Sequence, residues 1–396
     1  MGKAFTIPVL TNYESFIAAQ VGELAQKLNG GNILSTSSQW RVFNMAHEFN
    51  CLMLDIMGGL CFGEAFGFLA GKGDAIMPLM HQRAVRIYMT GHEPLLKRYY
   101  LDILFFPRLF RATSAVANYA QMCTSRRIER YRNTGDEKVN ADDETPRDIL
   151  TNLLDSRDDE THSTYSENEL LGEAILLMMG GSDTTATAST ATLFYVLRHP
   201  EVLKKLRVEL AENFSTAGDI QQQRAENCPY LRACVDEAMR LSPPSPTNIP
   251  RLVGPGGIRV THQDLSEGVY VGVPNFALFR NKDSFDDPHA FIPERWIANS
   301  RPCYTEESVK RARAAFNPFS LGPRQCIGKT LAIKEVLYIM ANVFYLFDIE
   351  LIGDSGKLSK DLPGAEGQVI LEQFDAFTSL ENGPSVRIKV REGVKF

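Results

Sequence analysis

A mainly α-helical fold with a small β-sheet portion is what this 396-residue sequence predicts. Three observations carry that prediction. Apolar residues recur at helical spacing over residues 13–28 and 43–69. A capping box, Ser166 with Glu169, opens an apolar run that continues to about His199, where Pro200 closes it. Near the C-terminus Val386, Ile388 and Val390 alternate with Arg387, Lys389 and Arg391, the period-two signature of a half-exposed strand. With 44% hydrophobic residues the chain can bury a large core. Neither an internal repeat nor a domain-splitting linker interrupts it, so residues 1–396 are expected to form one domain.

Taken in order, residues 134–166 are rich in acids and small polar residues. They read as a surface connection with one short helical insert over residues 148–154. The long helix that follows is apolar almost all round. Glu173 and Asp183 interrupt it, and its uncharged stretch is too short to span a bilayer, so a buried central helix is expected. Glu237 and Arg240 stand i, i+3 on a helix over residues 230–241, a spacing that makes their side chains neighbours and is usually an ordinary surface pair. Pro243, Pro244 and Pro246 break that helix into an extended segment leading to Pro250 and Arg251. Residues 256–260 and 269–273 read as two strands joined by a turn at Glu267 and Gly268.

Composition excludes several classes. A net charge of −6 argues against nucleic-acid binding. Seven cysteines, an odd number without a C-x-x-C pair, suit neither a disulfide framework nor a zinc site and point to a reducing compartment. Residues 1–13 hold no apolar run long enough for a signal peptide or a membrane span, so the chain is expected to be soluble or peripheral.

The most informative stretch is Phe319-Ser320-Leu321-Gly322-Pro323-Arg324-Gln325-Cys326-Ile327-Gly328, a glycine-punctuated loop that leads into a helix. It reads as a ligand loop for haem iron. The first N–H groups of the following helix favour a negative sulfur on Cys326, so its pKa is expected to be lowered. Gly322 permits a turn other residues resist. Gly328 removes a side chain where a flat macrocycle would lie, Phe319 shields the sulfur, and Arg324 has the fork geometry to pair a propionate. A buried structural cysteine is the alternative. Upstream, Gly180-Gly181-Ser182-Asp183-Thr184-Thr185 places two glycines, an acid and hydroxyls in the middle of the central helix. A widened turn at the glycines would leave a groove for O2, with Thr184 beside it and Asp183 relaying protons; a kink without chemistry is the alternative.

The pattern Phe-x-x-Gly-x-Arg-x-Cys-x-Gly resembles the cytochrome P450 superfamily of haem-thiolate monooxygenases and is matched without a gap. The resemblance covers nearly all of the chain and implies the cytochrome P450 fold, haem b with Cys326 as axial thiolate, and Asp183 and Thr184 as the acid–alcohol pair over the distal face. It also implies that Glu237, Arg240 and Arg295, the last within Pro293-Glu294-Arg295-Trp296, form a buried triad behind the ligand loop, and that Arg251 reaches a propionate. The function implied is insertion of one atom of O2 into a lipophilic small molecule with NADPH-derived electrons. No nicotinamide or flavin fingerprint occurs in the chain, so NADPH–cytochrome P450 reductase is the expected partner. The cluster Lys310, Arg311, Arg313, Arg324 and Lys329 would steer it, or is a solvated face.

The style of the motifs is similar to eukaryotic microsomal, especially fungal, members, which implies specialised metabolite biosynthesis and, for the full-length family, the cytoplasmic face of the endoplasmic reticulum. Against that family the chain starts after the usual anchor and first helices, without the helix that carries Trp-x-x-x-Arg. An inactive truncated relic is the alternative function. The substrate pocket is expected to draw on residues 80–110, 175–187, 245–249 and 376–379, all apolar or small.

Overall fold

A computed structural model describes residue 5 and residues 13–31, 39–73, 75–138, 148–157, 162–353, 357–358 and 369–394. Nine helices are labelled: α1 (Glu14–Leu28), α2 (Met45–Phe62), α3 (Met77–His92), α4 (Pro107–Lys138), α5 (Glu167–Arg198), α6 (Pro200–Asn213), α7 (Pro229–Leu241), α8 (Glu306–Ala315) and α9 (Lys329–Leu346). Nine of the strands are labelled with them: β1 (Arg41–Asn44), β2 (Arg251–Leu252), β3 (Ile258–Val260), β4 (Gln263–Leu265), β5 (Tyr270–Val271), β6 (Phe347–Leu351), β7 (Gln373–Ala376), β8 (Thr378–Glu381) and β9 (Ser385–Val390).

The central helix is α5. Its first turn is held by the reciprocal capping box of Ser166 and Glu169, and from Ser182 to Val196 nearly every side chain is buried. It packs on α2, α4, α7 and α9, so the core surrounds it on most sides. No described helix is long and apolar enough to cross a membrane.

Three expectations on element boundaries are corrected. The helix expected over residues 43–69 begins only at Met45, because residues 41–44 pair as β1, and the Asn44 side chain then caps the helix by accepting from the His47 N–H. It ends at Phe62, where Gly63 adopts a left-handed φ of 76°. Past that point the buried Asp55 carboxylate organises a loop by accepting the backbone N–H groups of Gly67, Phe68 and Leu69. Secondly, α4 runs to Lys138, into the expected connection, whose residues 139–147 and 158–161 lie outside the described ones. The short insert forms over Ile149–Asp155 with Asp148 as its cap.

The third correction concerns residues 256–273. The two expected strands do not pair with each other: β3 pairs β4 and β5 pairs β2, both antiparallel. Thr261, at a φ of 51°, closes a tight turn right after β3, so the chain doubles back before it reaches Gly268. The C-terminal strand behaves as its alternation predicts. It is the middle strand of the sheet β1-β9-β6, with Val386, Ile388 and Val390 buried and Arg387 exposed. A second ribbon, β7 with β8, lies against α5.

Candidate active site

The loop before α9 is held by its own backbone. Gly322 has a φ of 77°, the Gln325 N–H bonds the Gly322 carbonyl at 3.0 Å, and the Cys326 N–H returns to the Phe319 carbonyl at 2.9 Å. This sets the Cys326 sulfur at the head of α9, where the N–H groups of Gly328 and Lys329 bond to it. The expectation of a lowered thiol pKa is not met. Desolvation by the surrounding loop pushes the Cys326 thiol up, and the two N–H groups and the Lys329 charge only partly offset it. The residue still has an open face to solvent.

The surroundings suit a flat, apolar, anionic macrocycle. A Cβ added at Gly328 would meet only the Cys326 sulfur, at 3.9 Å, and one at Gly322 would meet nothing within 4 Å. Leu252, Leu321 and Ile327 expose apolar surface, while Phe319 is half-buried against the core. Arg324 and Arg251 are both exposed; the Arg251 guanidinium donates to the Ile249 and Pro250 carbonyls at 3.2 Å each. Among the described residues neither guanidinium has a carboxylate partner.

Along α5 the structure alters the expected picture of a widened turn. The helix continues unbroken through Gly180 and Gly181. The Thr184 hydroxyl donates to the Gly180 carbonyl at 2.8 Å, a back-bond that a regular α turn accommodates. Gly181 instead serves packing. A Cβ at Gly181 would lie 2.5 Å from Met57 Sδ on α2, whereas one at Gly180 would meet nothing within 4 Å. Thr184 is half-buried and Asp183 is buried. Burial pushes the Asp183 carboxyl up to about 7, although the neighbouring Ser182 side chain acts in the opposite direction.

One turn beyond, the structure shows a cluster that sequence reading missed. The Thr187 hydroxyl lies 3.1 Å from Glu381 Oε2 and 3.2 Å from the Ser379 carbonyl, and Gln373 Nε2 donates to Glu381 Oε1 at 2.9 Å. Burial pushes Glu381 up to about 8, and the nearby Asp183 adds to the rise. No motif surrounds Glu381 in the sequence; the one available signal was Thr187, four residues after Asp183 and hence on the same helix face.

The three expected triad residues meet. Glu237 accepts from Arg240 Nε and Nη2, from Arg295 Nε and from the Ile292 N–H, all at 2.9 Å, and from Trp296 Nε1 at 3.0 Å. Burial alone would raise the Glu237 carboxyl, but Arg240, Arg295 and these hydrogen bonds hold it below the ordinary glutamate value. Arg240 is satisfied further by the carbonyls of Phe279, Pro288 and Ala290.

Segments expected around the pocket converge. Ser379 bonds the carbonyls of Pro243 and Pro244, Asn275 holds the Ser245 carbonyl, and the Tyr88 hydroxyl on α3 lies 3.3 Å from Asp375 on β7. The basic cluster is partly committed elsewhere: Arg311 pairs with Asp286 at 3.6 Å, while Arg313 lies over Trp296 and pairs with Asp236 at 3.8 Å.

A family model described as Cytochrome P450 matches residues 1–373. This chain belongs to the cytochrome P450 family. The P450 is 30% identical over 394 residues to "Cytochrome P450 monooxygenase AFT11-1" of Alternaria alternata, covering 99% of this chain and 73% of that one. It is also 30% identical to a "Cytochrome P450 monooxygenase" of Gibberella zeae, over 96% of this chain and 85% of the relative. Against "Cytochrome P450 monooxygenase aclL" of Aspergillus oryzae it is 32% identical and spans 66% of the relative. A solved structure, "Crystal structure of cytochrome P450DA heme domain", superposes with a TM-score of 0.74 at 18% identity over 99% of this chain and 76% of that chain, which shows the cytochrome P450 fold. The P450 is an oxidoreductase of the monooxygenase type with haem b on an axial thiolate as its cofactor, and O2, an organic substrate and a redox partner enter its reaction.

Proposed function

We propose that this P450 inserts one atom of O2 into a C–H or C=C bond of a lipophilic small molecule, the other atom leaving as water. NADPH supplies the two electrons through a flavin-containing NADPH–cytochrome P450 reductase. The observation that carries the reading is the Cys326 sulfur at the head of α9, bonded by two backbone N–H groups beside an open face. Haem b, when bound, supplies the activation of O2.

The chain's own residues divide the remaining work. Cys326 would hold the haem iron through its sulfur as the metal-binding residue, Phe319 would shield that sulfur, and Gly328 would leave room beside it. Arg324 and Arg251 bind the propionates, for which their lack of carboxylate partners among the described residues leaves them suited. Asp183, able to hold a proton near neutral pH, and Thr184, with a hydroxyl beside the space left at Gly180, move protons towards the oxygen being reduced. The triad of Glu237, Arg240 and Arg295 fixes the segment behind the ligand loop and so retains the cofactor.

Exposed and half-buried apolar residues on α3 and on the β7–β8 ribbon support a lipophilic substrate. The fungal sources of the relatives support a place in specialised (secondary) metabolite biosynthesis. Lys310 and Lys329 support docking of an acidic reductase, and such a partner supports a position at the cytoplasmic face of the endoplasmic reticulum.

The test is the reduced carbon-monoxide difference spectrum of the purified chain supplied with haem. A red-shifted thiolate band, lost in Cys326→Ala, is the expected result. Absence of haem uptake, or a band that survives in Cys326→Ala, would overturn the ligand assignment.

A further inference from the structure

Five serine and threonine hydroxyls on α5 are seen to form hydrogen bonds, and four of them bond back along the helix. Ser182, Thr184, Ser189 and Thr192 each donate to the carbonyl four residues earlier. Thr187 instead reaches across to the β7–β8 ribbon, where Glu381 Oε2 and the Ser379 carbonyl are its partners at 3.1 and 3.2 Å.

A hydroxyl has one proton to give, and both of those partners can accept. With Glu381 ionised, Thr187 would satisfy one of them at the expense of the other. With Glu381 protonated, its O–H donates to Thr187, Thr187 donates to the Ser379 carbonyl, and Gln373 Nε2 donates to the remaining Glu381 oxygen. Every group is then satisfied, so the hydrogen-bond geometry accommodates the neutral acid. Over its whole surface Glu381 is only half-buried, but its two carboxyl oxygens face inward onto Thr187 and Gln373. Desolvation there pushes the acid up to about 8, outweighing the Gln373 and Thr187 bonds, which act in the opposite direction.

The groups around it are few. From α5 come Asp183 and Thr187, from β7 the neutral Gln373, with Asp375 further along the ribbon bonded to Tyr88 of α3. Asn44 of β1 lies 3.5 Å from Asn382, the next residue in the chain. The leading charge acting on Glu381 is Asp183, a like charge, so the two acids resist ionising together. Asp183 sits one helical turn from Thr187 on the same face.

We propose that Glu381 is the proton reserve behind Asp183, with Thr187 as the hydroxyl between them. The proposal rests on the reading of Asp183 and Thr184 as the proton path. When Asp183 gives up its proton towards the oxygen being reduced, the Thr187 hydroxyl turns from the Ser379 carbonyl to donate to Asp183 as it accepts the proton of Glu381. Asp183 is thereby neutral again and Glu381 is ionised until solvent reprotonates it. Glu381 acts through Thr187 and Asp183, so it is a positioning and supply residue.

The first readout needs no turnover. Infrared titration of the haem-loaded chain follows protonated-carboxyl stretches, and the wild-type minus Glu381→Gln difference isolates the Glu381 band. That band is expected to persist through neutral pH, and Asp183→Asn should lower its titration midpoint by removing the like charge. A Glu381 band absent at neutral pH, or a midpoint that Asp183→Asn leaves unmoved, would overturn the proposal.

The second readout uses O2 as the only probe, with a low-potential electron donor, and measures peroxide released per O2 consumed. Two electrons and two protons give peroxide; four of each give two waters. In Glu381→Gln and Thr187→Val the peroxide share should rise severalfold near pH 8 and little near pH 6, with Thr187→Ser restoring wild-type behaviour. The alkaline limb should move to lower pH in both variants. A peroxide share raised equally at all pH values would mean a structural role and would refute the relay. If the wild-type chain shows no thiolate spectrum, the functional reading fails on its own account, while the infrared coupling still judges whether the two acids share a proton.

Discussion

Arg295 Nε lies 2.9 Å from Glu237 Oε1 across a sequence separation of 58 residues, and both side chains are almost wholly buried. A buried carboxylate with five donors is stable only while its cations remain. Removing Arg240 or Arg295 strands the Glu237 charge, at a cost on the order of 3–5 kcal/mol. Arg240→Ala and Arg295→Ala should each lose about that much in urea unfolding of the haem-loaded protein, with haem released before global unfolding. A loss below about 1 kcal/mol would show that the triad is not structural.

Glu335 on α9 offers a pH test. It is 1% exposed, its Oε1 has no hydrogen-bond partner among the described residues, and burial pushes its carboxyl up to about 8. Between the ordinary glutamate value and about 8 the native chain keeps a proton that the unfolded chain has lost. Stability therefore falls as pH rises through this window, by up to about 1.4 kcal/mol per pH unit from this group, and the fall stops above it. Glu335→Gln should flatten that decline and be the more stable protein near pH 8. Parallel stability curves for the two proteins would show that Glu335 is ionised in the native state.

Thr184→Ala should keep haem and the thiolate spectrum while diverting reducing equivalents to peroxide. Asp183→Asn should slow turnover by about 10²-fold or more, the usual scale for loss of a positioned acid. Product yield per NADPH measures the first effect and single-turnover rates the second. Unchanged coupling in Thr184→Ala would remove that hydroxyl from the proton path.

Two glycines give opposite expectations. A Cβ at Gly59 on α2 would sit 1.8 Å from the Phe16 ring of α1, so Gly59→Ala must push the helices apart, costing about 1–3 kcal/mol. At Gly22 on α1 nothing lies within 4 Å, and Gly22→Ala should stabilise by about 0.5–1 kcal/mol through helix propensity. Thermal unfolding of the pair checks both signs against one background.

Much of this protein was readable from local pattern. The capping box of Ser166 and Glu169, the alternation of Val386, Ile388 and Val390, and the motif around Cys326 each sit within a few residues. Backbone geometry over such a span follows from the residues themselves, through caps, side-chain period and glycine turns. The i, i+3 spacing of Glu237 and Arg240 likewise foretold that they are neighbours. What that spacing cannot carry is burial: only packing of α7 against residues 279–296 turns a commonplace surface pair into a charge held by five donors.

Pairing over longer distances was decided by the tertiary structure. The turn at Thr261 rather than the one at Gly268 set the partners of β3 and β5, because a chain closes on the first strand that geometry lets it reach. Desolvation is likewise a property of the folded surroundings. It raised Cys326 where the helix terminus alone predicted lowering, and it raised Glu381, an acid without a motif, beside Asp183. The sequence by itself determined the helical fold and the ligand loop, since both are written in local spacing. The tertiary structure alone decided which acids keep their protons, since a carboxyl's charge depends on every element that shuts water away from it.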